Sequence, residues 1–227
     1  MNRASATAQE ARVTELAREG APLTTDFATW ISELQREPAA TRDARLLAEP
    51  HPVSFTQRRV LRLSPLGPAD PSLNIVYGVR LLGDLGGDDA SVYRALRGAL
   101  SSIVQRHAIF RTQFEAGAVS ADSTTGWRQR VVRSAEVSMD RSGLRALPEK
   151  ERQQVLQRAV DEEAARPFAL GAAPLLRARW FELGDEEHVL VLATHQLVFD
   201  GWSFGVLLDE LAAQYVATQR QQTLRPD

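Results

Sequence analysis

Hydrophobic and polar positions switch between two periods along this 227-residue chain, and the switches outline an α/β domain beginning near residue 51. "SFTQRRVLRLSPL" reads as a short helix that ends before a Pro- and Gly-rich loop. "NIVYGVRLLG" alternates Ile75, Tyr77, Val79 and Leu81, as a strand half buried on one face does. "ASVYRALRGALSSIVQRH" sets Val92, Leu96, Ala99, Leu100, Ile103 and Val104 at helical spacing. "FRTQFEAG" and "GWRQRVV" predict strands around the polar loop "AGAVSADSTTG". Pro148 opens a helix, "PEKERQQVLQRAVDEEAARP", with Val155, Leu156, Ala159 and Val160 facing inward. "PLLRARWFEL" and "EHVLVLATHQLV" form two strands turning at Gly184-Asp185, the second a continuous apolar run expected of a strand covered on both faces. "FGVLLDELAAQYVATQ" closes the pattern as a helix with Phe204, Leu207, Leu208, Leu211 and Tyr215 on one side.

Residues 1–50 differ in character. "TAQEARVTELAREG" and "DFATWISELQREP" each predict a short helix, the second with Trp30, Ile31 and Leu34 on a small apolar face, and a linker framed by Pro50 and Pro52 holds His51. We therefore divide the chain into a helical and linker extension over 1–50, either solvated or a docking segment, and one lobe over 51–227.

Composition narrows the function classes. With 27 basic and 29 acidic residues there is no electrostatic case for nucleic acid or an anionic membrane. Cysteine is absent, which excludes disulfides, thiolate catalysis and cysteine-based metal sites. No apolar run approaches the ~20 residues of a membrane span, and the amino end lacks the apolar stretch of a signal peptide. The expectation is a cytoplasmic protein without a metal.

Candidate chemistry concentrates in "HQLVFDGWS", where the last strand gives way to the last helix. This stretch joins three others in the same order as the motifs of condensation domains from nonribosomal peptide synthetases. "SFTQRRVLRL" followed by "PSLNIVYGVRLLG" resembles their opening motif. "RHAIFRTQF" resembles Arg-His-x-x-Leu-Arg-Thr-x-Phe, with Phe110 replacing the leucine. "RPFALGAAPLLRARW" resembles the Pro-Phe-Asp-Leu…Pro-Leu-Leu-Arg segment, and "HQLVFDGWS" resembles the His-His-x-x-x-Asp-Gly signature.

The resemblance implies a chloramphenicol-acetyltransferase-like lobe, an α/β (α+β) fold with a mixed, mostly antiparallel sheet flanked by helices. It also implies that substrates arrive on carrier proteins as phosphopantetheine thioesters, with no cofactor bound directly. In the family the second histidine of the signature is the usual catalytic residue, which positions the attacking amine and helps deprotonate it. The family has three residues between its second histidine and the aspartate; here Leu197, Val198 and Phe199 precede Asp200, which puts Gln196 in that place and His195 in the first one. A neutral amide takes up no proton near pH 7, so the position is degenerate. Neighbours on an extended backbone point to opposite faces, so His195 is expected to turn away from Gln196 as a hydrogen-bonded structural residue.

Asp200 is read as a structural carboxylate paired with Arg106 or Arg111, and Gly201 as a residue whose backbone disfavours a β-carbon. Ser203 is expected to cap the last helix. His107 and His188 are read as solvated, and Trp127, Trp180 and Trp202 as core or interface residues.

The motifs of the other lobe are absent from these residues, so the resemblance covers about half of a condensation domain. Two readings follow. In the first, the protein is a non-catalytic module that links domains, docks, or binds a carrier protein or neighbouring synthetase or synthase domain. A homo-oligomer through the exposed inter-lobe surface is then open to it. In the second, it is an acyltransferase forming amides by thioester aminolysis, completed by a second lobe, another subunit or homo-oligomerisation.

Overall fold

The computed structural model describes Leu47 and residues 50–63, 70–117 and 126–219. The helices expected before residue 40, with Trp30, Ile31 and Leu34, lie outside the described residues, as does most of the loop after Gly117. No described helix is long and apolar enough to cross a membrane.

From Pro50 onward the described residues belong to one unit built on two sheets. The larger has the order β2 (Asn74–Leu82), β7 (Glu187–His195), β6 (Leu176–Glu182), β5 (Ser138–Gly143). Only the β5–β6 pair is parallel. The smaller sheet has the order β1 (His51–Pro52), β4 (Trp127–Val131), β3 (Thr112–Ala116) and is antiparallel throughout. Four helices are described: α1 (Phe55–Leu63), α2 (Asp89–Arg106), α3 (Glu149–Ala165) and α4 (Gly201–Gln219).

The apolar run of β7 is buried on both faces, and two separate cores explain why. On one face Val189 and Val191 join Phe181, Leu183 and Ala159 beneath α3. On the other, Leu190 and Leu192 join Trp180, the apolar stripe of α2 and Leu207 and Leu211 of α4. All six α2 positions singled out by periodicity are buried.

Two strands leave no mark in the periodicity. β5 has the sequence SMDRSG, with one apolar residue in six, and it pairs only along β6 at the edge of the sheet, so burial leaves little trace in its composition. His51, expected in a linker, lies in β1, with its Cα opposite that of Gln129. The last helix starts three residues earlier than its apolar stripe suggests, because Asp200 caps it.

Leu100 at the centre of the α2 stripe is 0 % exposed. Leu100→Ala is expected to cost about 3 kcal/mol in urea unfolding, as large-to-small changes at well-packed sites do.

Candidate functional site

The site is the turn from β7 into α4. At its start, His195 is 1 % exposed, whereas Gln196 is exposed. The Gln196 N–H donates to the Leu73 carbonyl at 3.0 Å, and the Val198 N–H donates to the His195 carbonyl at 3.0 Å. Leu197, Val198 and Phe199 then turn inward and are buried. The loop is thus pinned on both sides of residue 196, and only that side chain and Asp200 are left facing water.

Each motif contributes at least one fastener to this turn. Ser54 and Gln57 form a capping box at the start of α1: the Ser54 N–H donates to Gln57 Oε1 at 2.8 Å, and the Gln57 N–H donates to Ser54 Oγ at 3.2 Å. Gln57 Nε2 also donates to the Leu197 carbonyl at 3.4 Å. Phe110 packs its ring 6.2 Å from that of Phe199. Leu175 accepts hydrogen bonds from the His195 N–H at 3.3 Å and from Thr194 Oγ1 at 2.9 Å. Phe168 meets the His195 ring edge to face at 6.2 Å.

His195 Nδ1 accepts from the Leu197 N–H at 3.2 Å, which leaves the ring proton on Nε2. That nitrogen is buried and has no partner among the described residues. Burial is the main cause that pushes the His195 pKa down to about 4, with Asp70 opposing it weakly. The imidazole is therefore neutral at physiological pH and is used up as an acceptor for its own turn.

Asp200 does not meet either expected arginine. Its Oδ1 accepts from the Ser203 N–H at 2.9 Å and from Ser203 Oγ at 2.6 Å, so Asp200, rather than Ser203, caps α4. The Ser203 hydroxyl hydrogen bond, with the backbone ones, holds the Asp200 carboxyl below its usual range. Arg111 is buried and donates instead to the Gln105 carbonyl at 3.0 Å and the Val132 carbonyl at 2.7 Å. Arg106 pairs with Glu210 of α4 at 3.4 Å. The carboxylate sits at an exposed helix start, where backbone N–H groups solvate it and no cation is required.

Gly201 is also reassigned. Its φ lies outside the left-handed region and a β-carbon there would meet nothing within 4 Å, so glycine is not demanded by local geometry.

The other histidines differ from expectation in one case. His107 is half-exposed and contacts Glu210 through Nε2 at 2.5 Å. His188 is buried, not solvated: its ring stacks on Trp180 at 5.0 Å because both side chains lie on the sheet face that α2 and α4 cover. Trp180 is fully buried, Trp127 is half-buried against the core, and Trp202 is 86 % exposed on the first turn of α4.

Two measurements check this geometry. The folded His195 protonates near pH 4 and the unfolded one near 6.5. On acidification the unfolded chain takes up the proton first. The stability linked to His195 is therefore whole above pH 6.5 and lost as pH falls towards 4, by on the order of 3 kcal/mol. Urea midpoints for the wild type should drop across that window more steeply than those of His195→Leu; parallel curves would show that the ring is not buried. Asp200→Ala is expected to cost about 1 kcal/mol and Asp200→Asn a few tenths. A loss of several kcal/mol in both would point to a buried ion pair instead.

Comparison with known proteins places the chain in a family. The family model for the condensation domain matches residues 48–227. The chain is 37% identical over 166 residues to the chondramide synthase cmdD of Chondromyces crocatus, covering 73% of this chain and 4% of that protein. It is 35% identical over 164 residues to phosphinothricin tripeptide synthetase PhsC of Streptomyces viridochromogenes, covering 72% of this chain and 14% of that one. Among solved structures, the starter condensation domain of rhizomide synthetase RzmA matches with a TM-score of 0.61 at 22% identity, over 79% of this chain and 40% of that one. The SgcC5 protein of Streptomyces globisporus matches with a TM-score of 0.59 at 26% identity, over 78% and 38%. The chain thus spans about two fifths of the solved relatives and a small part of the synthetases. On its motifs, its fold and the match over most of its length, this chain belongs to the condensation-domain family of nonribosomal peptide synthetases.

Proposed function

We propose that this lobe no longer supports amide-bond formation and serves its assembly line as a structural or docking module that receives a carrier protein or a neighbouring domain. The observation that carries this reading is Gln196, the one exposed side chain between β7 and Asp200, standing where the signature's base belongs. Aminolysis of a thioester requires an ammonium group to lose one proton before attack, and the attacking nitrogen to lose a second as the C–S bond breaks and the thiolate leaves. An amide side chain hydrogen-bonds the amine but accepts no proton at pH 7. Loss of a general base typically lowers such rates by about 10²–10⁴-fold. His195 is buried, neutral and committed to the Leu197 N–H, so it supplies no substitute.

A docking role is supported by two aromatic side chains. Gln57 ties the first turn of α1 to Leu197, and that turn carries Phe55, 77 % exposed. The first turn of α4 carries Trp202. Large exposed aromatics at the mouth of a rigid turn suit contact with another macromolecule better than a solvated surface. The phosphopantetheine arm of a carrier would enter beside Gln196 and meet a polar amide there.

The experiment is to mix the protein with an acyl-loaded carrier and an amine acceptor, and to measure amide formation and carrier binding separately. Wild type and Gln196→Ala are expected to give the same product level as carrier and amine alone, and to bind the carrier equally. Turnover by wild type that falls about 100-fold in Gln196→Ala would show that the glutamine orients a productive amine, which is the acyltransferase reading.

A further inference from the structure

The carboxyl end of α3 lies against the same sheet face as His195, and its carbonyls are gripped by two side chains from the sheet. Asn74, the residue paired with His195 across β2 and β7, donates from Nδ2 to the carbonyls of Ala164 at 3.0 Å and Arg166 at 2.9 Å. Arg177 of β6 donates from Nη2 to the Arg166 carbonyl at 2.9 Å and from Nε to Glu163 Oε2 at 2.7 Å. Glu163 is itself buried, so this ion pair is held in place rather than solvated. The guanidinium lies 3.7 Å above the centre of the Phe168 ring. The same Phe168 ring meets His195 edge to face at 6.2 Å.

We infer that Phe168 and Arg177 are positioning residues for the signature turn: the capped end of α3 holds Phe168, Phe168 holds the His195 ring, and that ring fixes the backbone that turns residue 196 outward. A histidine at the end of a strand has two torsions to lose. A planar cation stacked on one aromatic, which in turn abuts the imidazole, removes that freedom without a direct hydrogen bond to Nε2. The imidazole is then oriented with Nδ1 toward the Leu197 N–H, the bond that closes the turn. This assigns a task to the two residues of "RPFALGAAPLLR" that composition alone gives none: the phenylalanine is the pad and the arginine is its clamp.

The inference rests on reading residue 196 as the signature's acid–base position, yet its test does not read activity. Nitrogen-15 NMR of the whole protein reports the His195 ring tautomer and the exchange rate of the Leu197 amide. Leu190, in the middle of β7, reports global opening. In Phe168→Leu the Leu197 amide is expected to exchange at least about tenfold faster than any change at Leu190 explains, and the His195 ring nitrogens should lose the single Nε2–H signature. Phe168→Tyr keeps the ring and should preserve both. Arg177→Lys keeps the charge opposite Glu163 but not the planar face, so it should give the same local loss in weaker form if Phe168→Leu fails to fold. Equal acceleration at Leu197 and Leu190, or an unchanged ring signature in both Phe168→Leu and Arg177→Lys, would overturn the inference.

Discussion

Burial of β7 by α3 on one face and by α2 and α4 on the other leaves the strand no side chain to show to water until it ends. His195 is the last residue inside that constraint and Gln196 the first outside it. Because the strand ends at His195, the change of environment is complete within one peptide unit. The chemistry of the site follows from this boundary. An imidazole inside it is neutral and engaged, and an amide outside it is accessible without being basic.

The motifs matter because they locate that boundary. Gln57, Phe110, Phe168 and Leu175 are far apart in the chain, yet each touches a residue between Thr194 and Phe199. They hold the turn by different means: a side-chain amide on a carbonyl, two aromatic contacts and a backbone acceptor. None of these contacts uses the side chain of residue 196. Under the proposal, fold and chemistry separate at this point: the scaffold of the turn is kept while residue 196 is assigned no proton-handling role.

Much of this was legible in the sequence. Periodicity found α2, α3, β2 and β7 and the inward sides of the helices, because each is amphipathic or fully buried and the pattern records it. β5 was not legible, because a polar strand paired along one side of a sheet edge carries no apolar signature. Strand alternation predicted that His195 turns away from Gln196, but not that one is buried and the other exposed, which follows from where the strand ends. The partner of Asp200 was not legible either: the sequence offers arginines in a neighbouring motif, but it does not show that Arg111 spends its donors on the Gln105 and Val132 carbonyls. Nor did His188 betray its burial, since a histidine beside a turn looks solvated until Trp180 is placed against it. Long-range side-chain pairings of this kind are decided by packing, which periodicity does not encode.

The central claim is that no group of this lobe takes a proton from an attacking amine. It is tested most directly by the rate of amide formation from an acyl-loaded carrier and an amine, followed from about pH 6 to 8 with and without the protein. The account predicts that the two curves superimpose, rising only with the free amine. A protein-dependent rate with an ascending limb of its own in that interval would contradict it.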